Sequence, residues 1–439
     1  MQKKLIAVAV GSALAAIGAA PALAQNATVS VYGTLYGEYS SINNGAKSAA
    51  VGDNYQRYDH FQNPGSEIGF RGEEKLGGGL SAWFQCNSSI DYRGSTNASS
   101  SNAQAGSTWC TRNSALGMKG GFGNVFYGNW QTPFTRINLA SNIGANDTGV
   151  FGNAHIMTGT SSTFGISAPG QTNNVAGGTT TVAAGGAAQT VALVPTTAAI
   201  NTVSPSAYRR RQNNLFTYET PNFSGFSAMG AVTTRNNASA ATQAQLKTRL
   251  WSLGAQYNNG PLFIGTSYEK HKDFYNLNTA AAPIGGDDRA WTVGATYTFS
   301  NNLKLGGQYN NIRANATVPV TVAGVTTGGQ TRVSTWHVGI DWMISGPHGV
   351  RAAYSRAGDV QGLAGTAMNT RPLAGPNTGV NMWQIRYVHV LSKRTELTLG
   401  YSRTDQKAAA TGYETGGAST TQFAGQDSSA VAFSMRHNF

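Results

Sequence analysis

The chain has 439 residues, 11% of them charged and 10% aromatic, with 55 glycines and a formal net charge of +12. Ordinary soluble domains carry about 25% charged residues, and a helical membrane protein needs runs of about 20 apolar residues that this chain lacks. Two cysteines exclude a disulfide-dense scaffold and a cysteine-built zinc site. Aromatic and β-branched residues spread along the length exclude disorder, which leaves a Gly- and Thr-rich transmembrane β-barrel.

In chain order, the first predicted element is a signal peptide. Lys3 and Lys4 form a basic leader, Leu5 to about Ala20 an apolar stretch, and Ala22-Leu23-Ala24 a small-residue cleavage site. The mature chain is therefore expected to start at Gln25, with 29 basic against 19 acidic residues, a net charge of +10. Export removes nucleic acid from the partners such a basic chain would otherwise suggest, leaving anionic lipid and anionic solutes. It also allows a disulfide to persist.

Sixteen strands are predicted from period-2 alternation, starting near residues 29, 66, 79, 113, 124, 212, 225, 248, 262, 289, 303, 332, 349, 381, 395 and 428. The segment Trp291, Val293, Ala295, Tyr297, Phe299 against Thr292, Gly294, Thr296, Thr298 shows the pattern most clearly. Seven connections are short: Glu74–Gly79, Gly120–Gly123, Thr220–Ser224, Asn258–Pro261, Ser300–Asn302, Ile344–His348 and Leu391–Arg394. Eight are long, near 40–65, 88–112, 131–211, 234–247, 272–288, 313–331, 358–380 and 405–427. Strict alternation of short and long is what an antiparallel up-and-down barrel produces, with short periplasmic turns and long external loops.

Several segments resemble the Gram-negative general porins of betaproteobacterial type. They are Gly69 to Leu80, Arg112 to Phe134 with Gly121-Phe122-Gly123-Asn124-Val125 and Thr132-Pro133, and Asn213 to Phe226. Leu391-Ser392-Lys393-Arg394-Thr395 and the terminal Arg436-His437-Asn438-Phe439 are further matches. The resemblance implies a trimeric sixteen-stranded barrel whose third external loop narrows the pore. It also implies recognition of the apolar last strand, ending in Phe439, by the outer-membrane assembly machinery. The chain departs from the family pattern at Gly128-Asn129, where an arginine often follows the glycine.

No G-x-S-x-G, P-loop or H-E-x-x-H motif occurs, the seven histidines show no metal-ligand spacing, and no cofactor is implied. The expected activity is passive diffusion of small hydrophilic solutes through a water-filled pore, selected by bore and wall charge. Lumen parity falls on the cations Arg71, Lys119, Lys304, Arg351 and Arg386 and the acids Glu38, Glu269, Asp341 and Glu396. Arg209, Arg210 and Arg211 follow the third loop and are expected near the constriction. That set tilts the channel towards anions. The third loop, about 131–211, has Asp147 as its only acid, and Thr179 to Val194 reads as a small hairpin on Gly185-Gly186. A substrate-specific porin, or a barrel whose loops form an adhesive surface, are the alternatives. Cys86 and Cys110 flank antiparallel strand ends and are expected to form a disulfide. Arg249, Arg289, Arg332, Arg356 and Arg403 share parity with aromatic girdle residues at the external ends of their strands, the expected contacts for lipopolysaccharide phosphates.

Overall fold

The computed structural model describes residues 28–43, 45, 57–93, 109–158, 179–184, 187–192, 208–233, 249–272, 277–279, 282–284, 287–322, 325–362, 366–367, 374–410 and 425–439. The expected signal peptide lies outside the described residues. Sixteen strands make the wall: β1 Thr28–Asn43, β2 Glu67–Gly77, β3 Leu80–Ser89, β4 Ser114–Gly120, β5 Gly123–Gln131 and β6 Arg211–Glu219. Next come β7 Phe226–Thr233, β8 Arg249–Asn259, β9 Leu262–Lys272, β10 Asp287–Thr298 and β11 Leu303–Val322. The last five are β12 Val325–Ser345, β13 His348–Ala357, β14 Val380–Ser392, β15 Thr395–Gln406 and β16 Ser428–Asn438.

Each strand pairs antiparallel with the next in sequence, and β1 pairs with β16 from Thr34 opposite Asn438 to Asn43 opposite Ser429. The sheet is closed, so no backbone edge meets lipid unpaired. Alternation sorts the two faces: Trp291 and Val293 on β10 are 41% and 40% exposed, whereas Thr292 between them is fully covered. The wide face is the lipid face, and small polar side chains line the interior.

Fifteen of the sixteen strands start within two residues of the position read from alternation. The exception is β12, which starts at Val325 and, with β11 reaching Val322, turns most of the expected 313–331 loop into a hairpin. Thr317, Val318, Val320, Thr321 and Val322 favour strand geometry. Pro319, which has no N–H to offer the ladder, falls in the register irregularity between Ala316 and Val320. A short strand, Arg57–Gln62, likewise occupies part of the expected 40–65 loop and pairs with the far half of β1.

The third long connection begins inside the barrel. Up to Thr158 it carries two helices within the barrel, α1 (Pro133–Ala140) against β5 and β7–β10 and α2 (Ala154–Thr158) against β11–β14. Thr132 caps α1, accepting from the Thr135 N–H, and Pro133 sits at the first turn where no N–H is required. Phe134 and Ile156 are fully covered and join wall residues Ile312, Val333 and Met382 in one apolar cluster. Further along, Thr179–Ala184 and Ala187–Ala192 pair as the expected small hairpin.

What seats the loop is a path of inward glycines on five consecutive strands. A Cβ at Gly254 would lie 3.2 Å from Pro133, and one at Gly265 2.9 Å from Ile137. At Gly294 it would overlap Ser141, at Gly306 the Ile143 side chain, and at Gly339 the Ile143 carbonyl. Gly265 stands directly opposite Gly294, and Gly306 opposite Gly339. The missing side chains form a trough across the wall into which the loop settles.

Candidate functional site

The lumen is the site, and the inserted loop divides its charges into a covered set and an open set. Glu38 is fully covered, accepting from Gln62 Nε2 at 2.6 Å and from the Val150 N–H at 2.7 Å. Glu269 is equally covered, with His271 Nε2 2.8 Å from its Oε1. Arg386 donates to the Gly144 carbonyl at 3.2 Å and lies 5.0 Å over the Phe151 ring. All three have the inward parity read from the sequence but are covered: Glu38 and Arg386 hold the loop through Val150 and Gly144, and Glu269 holds His271, on whose ring Tyr208 stacks at 4.5 Å. Arg209 and Arg210 are corrected in the same way, being 3% and 1% exposed. Arg209 Nη1 reaches Asn153 Oδ1 at 2.9 Å and Asp147 Oδ1 at 3.2 Å, and its Nε donates to Asn138. Only Arg211 of the triplet is partly open, donating to Asn113 Oδ1 at 3.0 Å.

The open set clusters below the loop, nearer the short turns. Arg351 sits between Asp341 (Nε to Oδ2, 2.9 Å) and Glu396, which it grips through both terminal nitrogens at 3.1 and 3.2 Å. Lys304 stands opposite Asp341, and Arg386 opposite Arg351, so four strands carry one transverse row of charge. Lys119 pairs with Glu73 at 2.6 Å. Arg71 is exposed, 3.4 Å from Ser30 Oγ and 5.0 Å over the Tyr32 ring. Parity reasoning missed Glu67, which pairs with Arg112 at 2.5 Å, as well as Glu73, Arg436 and the Arg136–Glu219 pair. Glu73 follows Arg71 by two and Arg436 follows Ser434 by two, so the same alternation contained them. Arg136 belongs to α1, and no strand pattern could have placed it.

The balance of this set is uneven. Among the described residues, Arg71, Arg211, Lys304 and Arg436 face the open lumen and make no salt bridge, whereas Glu67, Glu73 and Glu219 each have a cationic partner and Asp341 and Glu396 share Arg351. Asn129, at the departure from the family pattern, is tied to the carbonyls of Thr111 and Arg112, both at 3.0 Å.

A sequence profile of the Gram-negative porins matches residues 9–409 of this chain. The chain belongs to the Gram-negative porin family. It is 26% identical to outer membrane porin protein 32 of Delftia acidovorans, over the whole of both chains. It is also 26% identical to an outer membrane porin protein of Bordetella pertussis, over 90% of this chain and 92% of that one. The fold is that of an anion-selective porin from Comamonas acidovorans (TM-score 0.62, 21% identity, 94% of this chain and 100% of that one). OmpT of Vibrio cholerae is similar as well, at TM-score 0.58 and 13% identity over 96% of this chain and all of the other. The protein is an outer-membrane channel that passes small hydrophilic solutes and ions by diffusion.

Two features of the porin lie outside the lumen. Cys86 on β3 and Cys110 are bonded, with Cα atoms 4.6 Å apart, closing the second long loop at its base. On the lipid face, Trp251, Tyr268, Trp291, Tyr309, Trp336, Tyr354, Trp383 and Tyr401 form an aromatic girdle over eight consecutive strands, β8–β15. Above it, towards the long loops, Lys270, Arg289, Arg313 and Arg332 stand directly opposite one another on β9–β12. Arg249 is opposite Lys272 beside them and lies 5.5 Å over Trp251. Arg249, Arg289 and Arg332 thus belong to an arc on one side of the barrel, not to a ring. Arg356 stands apart, opposite Asn381, and Arg403 is engaged by Asp405 at 2.5 Å and Asp427 at 3.0 Å.

Proposed function

We propose that this porin conducts anions in preference to cations, and that its outer face binds lipopolysaccharide phosphates. The observation that carries the selectivity is the imbalance in pairing. Arg71, Lys304 and Arg436 are open to the lumen and lack a carboxylate partner, while Glu73 is paired with Lys119 and Asp341 and Glu396 are both held by Arg351. An unpaired guanidinium or ammonium on a low-dielectric wall raises the local anion concentration. The loop adds no opposing charge, because its one acid, Asp147, is tied to Arg209. Replacing Arg71, Lys304 and Arg436 together by glutamine tests this: the permeability ratio should move towards unity with conductance retained. Wild-type selectivity should also fade with salt, as the Debye length falls from about 10 Å at 0.1 M to about 3 Å at 1 M. An unchanged ratio in the triple variant overturns the assignment.

The lipid reading rests on the row Lys270–Arg289–Arg313–Arg332. Like charges directly opposite on adjacent strands destabilise a sheet unless an anion lies between them. Asp287, 2.7 Å from Lys270, is the acid that meets this row. Arginine just outside an aromatic girdle costs roughly 0–1 kcal/mol there, and its fork suits phosphate. The same proposal includes homotrimer assembly and recognition of the final strand by the assembly machinery. Val431, Phe433, Met435 and Phe439 are 51%, 47%, 47% and 41% exposed on its outer side.

A further inference from the structure

We propose that the inner wall of β3–β5 is a retention site for neutral sugars. Trp83, Phe126 and Trp130 face the lumen there with ring centroids 5.1–5.8 Å apart, each pair meeting at a steep angle. Gly117 on β4 makes this packing possible, since a Cβ at that position would come within 2.6 Å of the Trp83 indole and 2.7 Å of Phe126. The indole therefore lies across the strand, partly open to the pore, as Trp130 is.

Polar groups frame the rings on both sides. Trp83 Nε1 donates to Asn124 Oδ1 at 2.8 Å, Asn124 Nδ2 donates to Glu219 Oε2 at 3.0 Å, and Glu219 pairs with Arg136 of the inserted helix. On the other side Glu73, directly opposite Trp83, pairs with Lys119 at 2.6 Å. Both ion pairs remain partly exposed, with side-chain accessibilities of 24–45%.

The chemistry of this wall selects its ligand. Two closed ion pairs offer donors and acceptors without net charge, which suits hydroxyls and gives no preference for an ion. The negative face of an indole attracts polarised C–H groups and repels an anion laid on it. A pyranose meets both demands, with an apolar C–H face for the rings and equatorial hydroxyls for Lys119, Glu73 and Asn124. This inference builds on the channel reading, naming a solute class held within it.

The test is uptake of labelled glucose and labelled sorbitol into liposomes containing the purified full-length porin, with KCl conductance measured on the same preparation. Sorbitol has the same hydroxyl chemistry but no rigid ring face. Glucose uptake should saturate and be slowed by unlabelled glucose, while sorbitol uptake stays linear. Trp83→Leu should raise the half-saturating glucose concentration roughly three- to tenfold, the worth of one aromatic contact, and leave KCl conductance in place. Gly117→Ala, which displaces the indole and leaves the Lys119–Glu73 and Arg136–Glu219 pairs in place, should do the same and serves if Trp83→Leu does not assemble. Linear glucose uptake in the wild type, saturation untouched by both variants, or saturation with benzoate but not glucose would each overturn the proposal. Loss of KCl conductance in the wild type would instead strike the channel reading itself.

Discussion

Gly339→Ala is the smallest change that should unseat the loop narrowing this channel. Any Cβ at Gly339 overlaps the carbonyl of Ile143, a backbone atom with no rotamer through which to escape. That carbonyl accepts from His337 Nε2 at 2.8 Å, and the Ile143 side chain fills the space left by Gly306. Losing the hydrogen bond costs about 1 kcal/mol, and lifting a partly buried isoleucine costs about 1–2 kcal/mol more. The ratio of seated to unseated loop should then fall by roughly 30- to 150-fold. The wall itself should survive, because the register between β11 and β12 does not depend on a side chain at this position. Single-channel recordings in symmetrical KCl give the readout: Gly339→Ala should show frequent excursions to a higher conductance. Gly307→Ala is the matched control, since a Cβ there points outward and meets only β12, at 3.3 Å or more. If the two variants behave alike, the glycine trough does not hold the loop.

Replacing Cys86 and Cys110 by alanine should lower stability by about 3–4 kcal/mol in the chain-entropy account of a 24-residue closure, seen as an earlier thermal transition. Thiol labelling of the denatured, unreduced porin should find no free cysteine. Neutralising Lys270, Arg289, Arg313 and Arg332 together should reduce co-purifying lipopolysaccharide and thermal stability with conductance intact; unchanged retention would leave the row without a lipid role. Asp91 is held below the ordinary carboxyl range by its hydrogen bonds from Arg93, which also donates to the Phe61 carbonyl at 2.8 Å. A depressed pKa contributes stability above the unfolded-state value of about 3.9 and loses it as pH falls through the folded value. Asp91→Asn should therefore release Arg93 at neutral pH, and trypsin should cut after it faster than in the wild type.

Much of this architecture was legible in the sequence because lipid and water face opposite sides of each strand. Trp291, Val293 and Tyr297 had to alternate with Thr292, Gly294 and Thr296, and that period fixed both the strand and its inward face. Parity gave direction but not depth. It put Glu38, Glu269 and Arg386 on the inner wall correctly, yet it could not show that Val150, His271 and Gly144 would be their neighbours. The loop's seat was hidden for the same reason: Gly254, Gly265, Gly294, Gly306 and Gly339 look unrelated until register aligns them. The basic row is not legible in the sequence because Arg313 lies four residues above Tyr309, and only the pairing of β10, β11 and β12 brings it between Arg289 and Arg332. Where the chain is simply rich in Thr and Val, as at 313–331, length alone does not separate a long hairpin from a loop.

The most direct test of selective diffusion through this lumen is the zero-current potential of a single reconstituted porin across a KCl gradient, with the dilute side near 0.1 M, where the Debye length is about 10 Å. Unpaired Arg71, Lys304 and Arg436 predict the sign of a chloride-preferring pore, and a potential of the opposite sign would contradict the account.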